Sequence, residues 1–125
     1  MSLILIVEDN EKNLKLVRDV LQVDGYETIE AGTGEDGVRL AKERLPALIL
    51  MDIQLPGING IEALRQLRAD PATAAIPIVA VTASVMQQDR THITEAGFDG
   101  YVAKPINLKE FREAVRRTVA EGRRG

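Results

Sequence analysis

Three stretches of this chain are apolar from end to end and only about five residues long: LILIV at 3–7, ALILM at 47–51 and IVAVT at 78–82. A strand with one face in water alternates polar and apolar residues. An unbroken apolar run of strand length calls for cover on both faces, as parallel strands between two helical layers have. These three runs are therefore predicted as central strands. YETIEA at 26–31 and GYVAK at 100–104 are shorter or more polar, as edge strands are.

The segments between the strands carry helical spacing. Leu14, Val17, Val20 and Leu21 share one face, and Gly25 is placed to end that helix in a left-handed turn. Ile61, Leu64 and Leu67 repeat the pattern after Asn59, as do Leu108, Phe111, Val115 and Val119 after Asn107, with Glu110 completing a capping pair. Val38, Ala41 and Leu45 form a shorter stripe. Within 85–97 only Met86, Ile93 and Ala96 mark a buried side, which predicts a loosely held helix. Strand and helix thus alternate five times, the pattern of an α/β domain whose parallel sheet is covered on both faces.

At 125 residues, the expectation is one domain spanning 1–125 with no output domain. A formal charge of -3 supplies no basic face for nucleic acid. There is no cysteine for a disulfide or thiolate, and the lone His92 cannot make a histidine metal cluster. The apolar start lacks the basic flank and cleavage site of a signal peptide, and no uncharged run is long enough for a bilayer. The expected setting is cytoplasmic, with no membrane partner.

Polar residues end the predicted strands. The first runs into Glu8 and Asp9, the second into Asp52, the third into Thr82 and the last into Lys104, so all five should meet at the carboxyl edge of the sheet. Ligands bind at that edge in open α/β sheets. Clustered carboxylates repel one another unless a cation sits among them. Hard oxygen donors without His or Cys suit Mg2+, or Mn2+ in its place, with waters left for a phosphate to replace. Asp9 and Asp52 are the expected direct ligands, the Gln54 backbone carbonyl a third, and Glu8 a partner of a metal-bound water. A blander reading has Asp9 or Asn10 capping the first helix and Glu8 solvated in a turn. Asp52 has no capping need to explain it.

A carboxylate can also act as a nucleophile and form an acyl phosphate. Such a transfer needs neutralised charge and a fixed line of attack, which Lys104 and the Thr82 hydroxyl could help provide. Thr82 as a helix cap and Lys104 as a simple neutraliser remain the structural alternatives.

One motif competes for the phosphate. AGTGEDG at 31–37 has the glycine spacing of a dinucleotide fingerprint, with Asp52 twenty positions after Gly32. Glu35 and Asp36 would set negative charge where a pyrophosphate meets backbone N–H groups, and the preceding strand is edge-like. The loop is expected to bind no phosphate, its Gly32 and Gly34 serving backbone geometry.

LIVEDN, LILMDIQLPGINGIE, IPIVAVTA and GYVAKPI, in that order, closely resemble the receiver domains of two-component response regulators, the CheY-like family, and most of all its stand-alone DivK-type members. The resemblance covers nearly the whole chain. It implies a flavodoxin-like (βα)5 fold with strand order 2-1-3-4-5, and a phosphoryl group accepted by Asp52 from a phosphohistidine of a sensor kinase or phosphotransfer protein. By the same resemblance Glu8 and Asp9 are the acidic pair and Lys104 the invariant lysine. Thr82 and Tyr101 are the switch pair, and Lys104-Pro105 is the site of a cis peptide. Gln54 and Ser84 match positions that tune hydrolysis, and the small Ala83 should leave the site open to a donor.

Phosphorylation would then draw Thr82 toward the phosphoryl group, let Tyr101 turn inward and repack the 85–97 helix. The face made by that helix, the last strand and the last helix is the expected surface for a downstream protein. The oligomeric expectation is a monomer or a phosphorylation-linked dimer. An unphosphorylated receiver-like interaction module, a flavodoxin-like nucleotide-binding domain and an aspartyl-phosphate phosphohydrolase are the competing readings. The last usually needs an acid two residues after the nucleophile, where Gln54 stands.

Overall fold

In the computed structural model, which describes residues 2–83, 93 and 95–122, five parallel strands form one sheet. They are β1 (Leu3–Val7), β2 (Glu27–Ala31), β3 (Leu48–Asp52), β4 (Ile78–Thr82) and β5 (Gly100–Ala103), in the order β2-β1-β3-β4-β5. Every residue of β3 and β4 is buried, as their unbroken apolar runs require. The outer strands β2 and β5 carry the more polar sequences.

Alternation along each strand sends side chains to two separate cores. On one side, Ile4, Ile6, Leu48, Leu50, Val79 and Val81 pack against Val17 and Leu21 of α1 (Glu11–Val23) and against Phe111 and Val115 of α4 (Leu108–Glu121). On the other, Leu5, Val7, Ile49, Met51, Ile78 and Ala80 meet α2 (Gly34–Arg44) and α3 (Gly60–Ala69) through Val38, Ala41, Ala63, Leu64 and Leu67. Ile93 and Phe98 complete that second core, with helical backbone at Ile93, Glu95 and Ala96. The buried side expected of the 85–97 segment is thus present at Ile93 and Ala96, while Met86, Ser84 and His92 lie outside the described residues.

The helix starts follow their caps. Asn10, Thr33, Asn59 and Asn107 each accept from a backbone N–H of the first turn that follows. Gly25, at φ 93, ends α1 as expected. Leu45 corrects the predicted α2 stripe: it is the C-cap, left-handed at φ 46 and 55% exposed. Leu108, the first residue of α4, is likewise exposed, because the turn at Asn107 leaves it short of the core reached by Phe111. The glycines of 31–37 differ as well. Gly34 and Gly37 have no positive φ, and their value is spatial, since an added Cβ would lie 2.6 Å from the Ile58 carbonyl at Gly34 and 2.8 Å from Val7 Cγ2 at Gly37.

Strand β1 lies between β2 and β3, so the chain winds outward in opposite directions from it. Such a reversal opens a crevice at the carboxyl ends of β1 and β3.

Candidate phosphoacceptor site

Glu8 and Asp9 leave β1 at this crevice and Asp52 ends β3 beside them. The ladder pairing Val7 with Met51 fixes their relative height. Asp52 and Glu8 are 4% and 5% exposed, whereas Asp9 is exposed at the mouth. One carboxylate oxygen from each of the three lies within 4.8 Å of the others.

The two bland alternatives for the acidic pair now resolve. Asn10, not Asp9, caps α1, its Oδ1 accepting from Lys12 N at 3.0 Å and Asn13 N at 3.1 Å. Asp9 is therefore left for other work. Glu8 is no solvated turn residue: its backbone N–H donates to Ala31 O, and its side chain is enclosed.

Lys104 follows β5, its N–H donating to Thr82 O at 2.8 Å, and the peptide after it, Lys104-Pro105, is cis. From there its ammonium reaches 2.9 Å from both Glu8 Oε1 and Asp52 Oδ2. The other Asp52 oxygen, Oδ1, accepts from Gln54 N at 3.0 Å. Among the described residues three clustered carboxylates share one ammonium, so the site when fully ionised carries two negative charges in excess. Burial first, and the neighbouring Asp52 second, push the Glu8 carboxyl up to about 7 against the pull of Lys104. Burial pushes the Lys104 ammonium down, but its hydrogen bonds to Asp52 and Glu8 outweigh that and its pKa is raised. Glu8 Oε2 is buried with no hydrogen-bond partner among the described residues. A buried orphan acceptor, excess negative charge and an all-oxygen donor set fit a hard divalent cation with bound waters.

Thr82 closes β4 at 5% exposure, and Ala83 beyond it is exposed, leaving the rim open. Tyr101 is half-buried and packs against the core that contains Ile93 and Phe98. It shares a sheet face with Ala80, its register partner on β4. The glycine loop stands apart: the Thr33 hydroxyl accepts from Asp36 N at 3.1 Å and so occupies a donor a pyrophosphate would need.

The family model for the response regulator receiver domain matches residues 4–116. The chain belongs to the response-regulator receiver family. This receiver is 44% identical over 113 residues to the polar-differentiation response regulator DivK of Brucella ovis, covering 90% of this chain and 92% of that one. Its structure resembles the receiver domain of the sensor histidine kinase PA1611 from Pseudomonas aeruginosa PAO1, which has a magnesium ion in its active site cleft. The TM-score is 0.89, with 34% identity over 96% of this chain and 98% of that one. A CheY-like receiver from Methanospirillum hungatei aligns at TM-score 0.85 and 28% identity, covering 97% and 95%. The receiver is thus a phosphoacceptor of two-component signalling, with the acidic pocket of Glu8, Asp9 and Asp52 at its centre.

Contacts made by two arginines were among those that escaped the sequence reading. Arg68 of α3 reaches Asp99 at 2.8 Å and the carbonyls of Ala74, Ile76 and Gly97, at the sheet edge opposite the site. Arg112 of α4 pairs with Asp24 at the end of α1 through Nε at 2.8 Å. Partners 31 and 88 residues apart leave no local pattern in the sequence.

Proposed function

We propose that Asp52 is the acceptor, taking a phosphoryl group from a phosphohistidine of a sensor histidine kinase or phosphotransfer protein. The observation that carries this is the double engagement of Asp52: Oδ1 is held by Gln54 N, while Oδ2 faces Lys104. Oδ2 attacks phosphorus, the P–N bond of the donor breaks, and the leaving imidazole nitrogen keeps the electron pair and takes up a proton. Negative charge moves from the carboxylate onto the phosphoryl oxygens. Lys104 follows it without leaving the site, which lowers the barrier by charge compensation. The Thr82 hydroxyl, at the adjacent strand end, donates to another phosphoryl oxygen.

Asp9, Asp52 and the Gln54 carbonyl would hold Mg2+ or Mn2+, with Glu8 reaching it through water; the ion supplies charge neutralisation to the phosphoryl group. The same groups assist hydrolysis of the acyl phosphate, so the protein aids its own phosphorylation and dephosphorylation.

Readout follows from Thr82 and Tyr101. Thr82 moves to the phosphoryl group, Tyr101 turns into the space, and the face of the 85–97 segment, β5 and α4 changes its fit to a downstream protein. The packing of Tyr101 against the core of Ile93 and Phe98 supports this coupling. The cytoplasm is the compartment of this relay. Incubation with Mg2+ and acetyl phosphate, read by intact mass, is expected to add one phosphoryl group, none in Asp52→Asn and none with Mg2+ chelated. Modification that survives in Asp52→Asn refutes the assignment.

A further inference from the structure

The loop from Ile53 to Asn59, between β3 and α3, carries Gln54, whose N–H holds Asp52 of the acidic pocket. Its near end is tied to Asp52, since Gln54 N donates to Asp52 Oδ1, and its two ends are drawn together where Gly60 N, at the start of α3, donates to Ile53 O at 2.9 Å. Between these ends the loop is also held by another element. Ile58 N donates to Glu35 Oε1 at 3.2 Å, so the carboxylate at the start of α2 binds a backbone donor 23 residues away.

The fit around that bond is close. A Cβ on Gly34 would lie 2.6 Å from both Ile58 Cγ1 and the Ile58 carbonyl, and a backbone neighbour cannot swing aside as a side-chain tip can. Gly57, at φ +75, presents a bare Cα to Glu35; a Cβ there would lie 2.5 Å from both carboxylate oxygens. The glycine-rich stretch that mimics a dinucleotide loop is thus a seat for the loop that carries Gln54.

We infer that Glu35, seated by Gly34, is a positioning residue for phosphoryl transfer: it fixes the 53–59 loop and thereby the placement of the Gln54 carbonyl and of the Asp52 carboxylate. The inference rests on Gln54 being a metal ligand. Glu35 touches none of the reacting atoms. It acts through Ile58 N and the short chain between Ile58 and Gln54. Asp36, its neighbour, makes no such bond to the loop; its side chain pairs with Arg39 at 3.4 Å.

The test compares wild type, Glu35→Ala, Glu35→Gln, Asp36→Ala and Gly34→Ala. Mg2+ affinity is measured by calorimetry, the rate of phosphorylation by acetyl phosphate at limiting and saturating Mg2+, and the melting temperature alongside. Losing an outer-sphere support typically weakens a metal site by about tenfold or more. Glu35→Ala should therefore bind Mg2+ about tenfold more weakly, with its rate deficit larger at limiting than at saturating Mg2+. Glu35→Gln keeps an acceptor oxygen and should retain wild-type affinity, which a loss of charge alone would not allow. Gly34→Ala should weaken Mg2+ binding with Glu35 intact, and Asp36→Ala should leave it unchanged. Since Glu35 is on the surface, its removal leaves no cavity and the melting temperature serves as the control for folding. Wild-type affinity in Glu35→Ala overturns the inference, as does a lowered melting temperature without a change in affinity. Failure of the wild-type protein itself to bind Mg2+ overturns the metal reading of Gln54 instead.

Discussion

Asp52 and Lys104 show how much one residue's neighbours decide. In sequence they are 52 positions apart, yet the parallel ladder brings the ends of β3 and β5 to either side of Thr82, and the ammonium closes on two carboxylates at 2.9 Å. Replacing Lys104 by Ala should slow phosphorylation by acetyl phosphate by at least tenfold, as loss of one charge-stabilising donor does at comparable sites. A stopped-flow rate within twofold of wild type would contradict the role given to this residue. Glu8 adds a pH signature. Its carboxyl titrates near 7 when folded but at 4.5 in an ordinary setting, so the folded protein binds the extra proton between those values. In the metal-free protein Glu8 therefore favours folding below about pH 4.5, and this contribution is lost as pH rises through 7. Urea unfolding in chelator should show wild type losing stability relative to Glu8→Gln across that window; a flat difference would show that the carboxyl is not perturbed. Sequence placed Glu8 at the strand end but left its environment open, because burial depends on elements remote from it.

At the scale of elements, the strands were readable because three of them must be apolar throughout, and the observed β1 and β4 coincide with their runs. The second run shifts by one residue, from 47–51 to Leu48–Asp52, since Asp52 completes the ladder opposite Val81. Helix stripes were readable in their middles and misleading at their ends. Leu45 and Leu108 have the right spacing but sit on terminal turns that have already left the core. The Arg68–Asp99 pair was illegible, since nothing local marks two charges that meet across the fold. Asp99 Oδ2 also accepts from Ile78 N, so this pair locks the start of β4 to the start of β5 and to α3. With their side chains 14% and 3% exposed, removing one partner strands a buried charge. Arg68→Ala should cost about 3 kcal/mol in urea unfolding, and a loss under 1 kcal/mol would place the pair among solvated ones.

For the whole molecule, the topology is what assembles chemistry. Alternating strands and helices predict a parallel sheet, and the observed order sets the crevice between β1 and β3, where the acids converge. The glycine loop at the start of α2 could be dismissed as a phosphate site from Glu35 and Asp36, but the packing role of Gly34 was not legible, because spacing carries no information about which neighbour fills the space. Coupling across the molecule predicts that Thr82→Ala still accepts a phosphoryl group while losing the change in Tyr101 environment on phosphorylation. Near-ultraviolet spectra recorded with and without acetyl phosphate read this directly, and an unchanged spectral response in Thr82→Ala would break the proposed link. No helix among the described residues is long and apolar enough to cross a membrane. The claim on which the rest depends is that Asp52 carries the phosphoryl group. Reduction of the phosphorylated protein with borohydride converts an aspartyl phosphate to homoserine, and peptide mass spectrometry then locates it. The structure predicts homoserine at position 52 alone; its appearance at position 9, or its absence from position 52 in protein that has gained a phosphoryl group, would contradict the account.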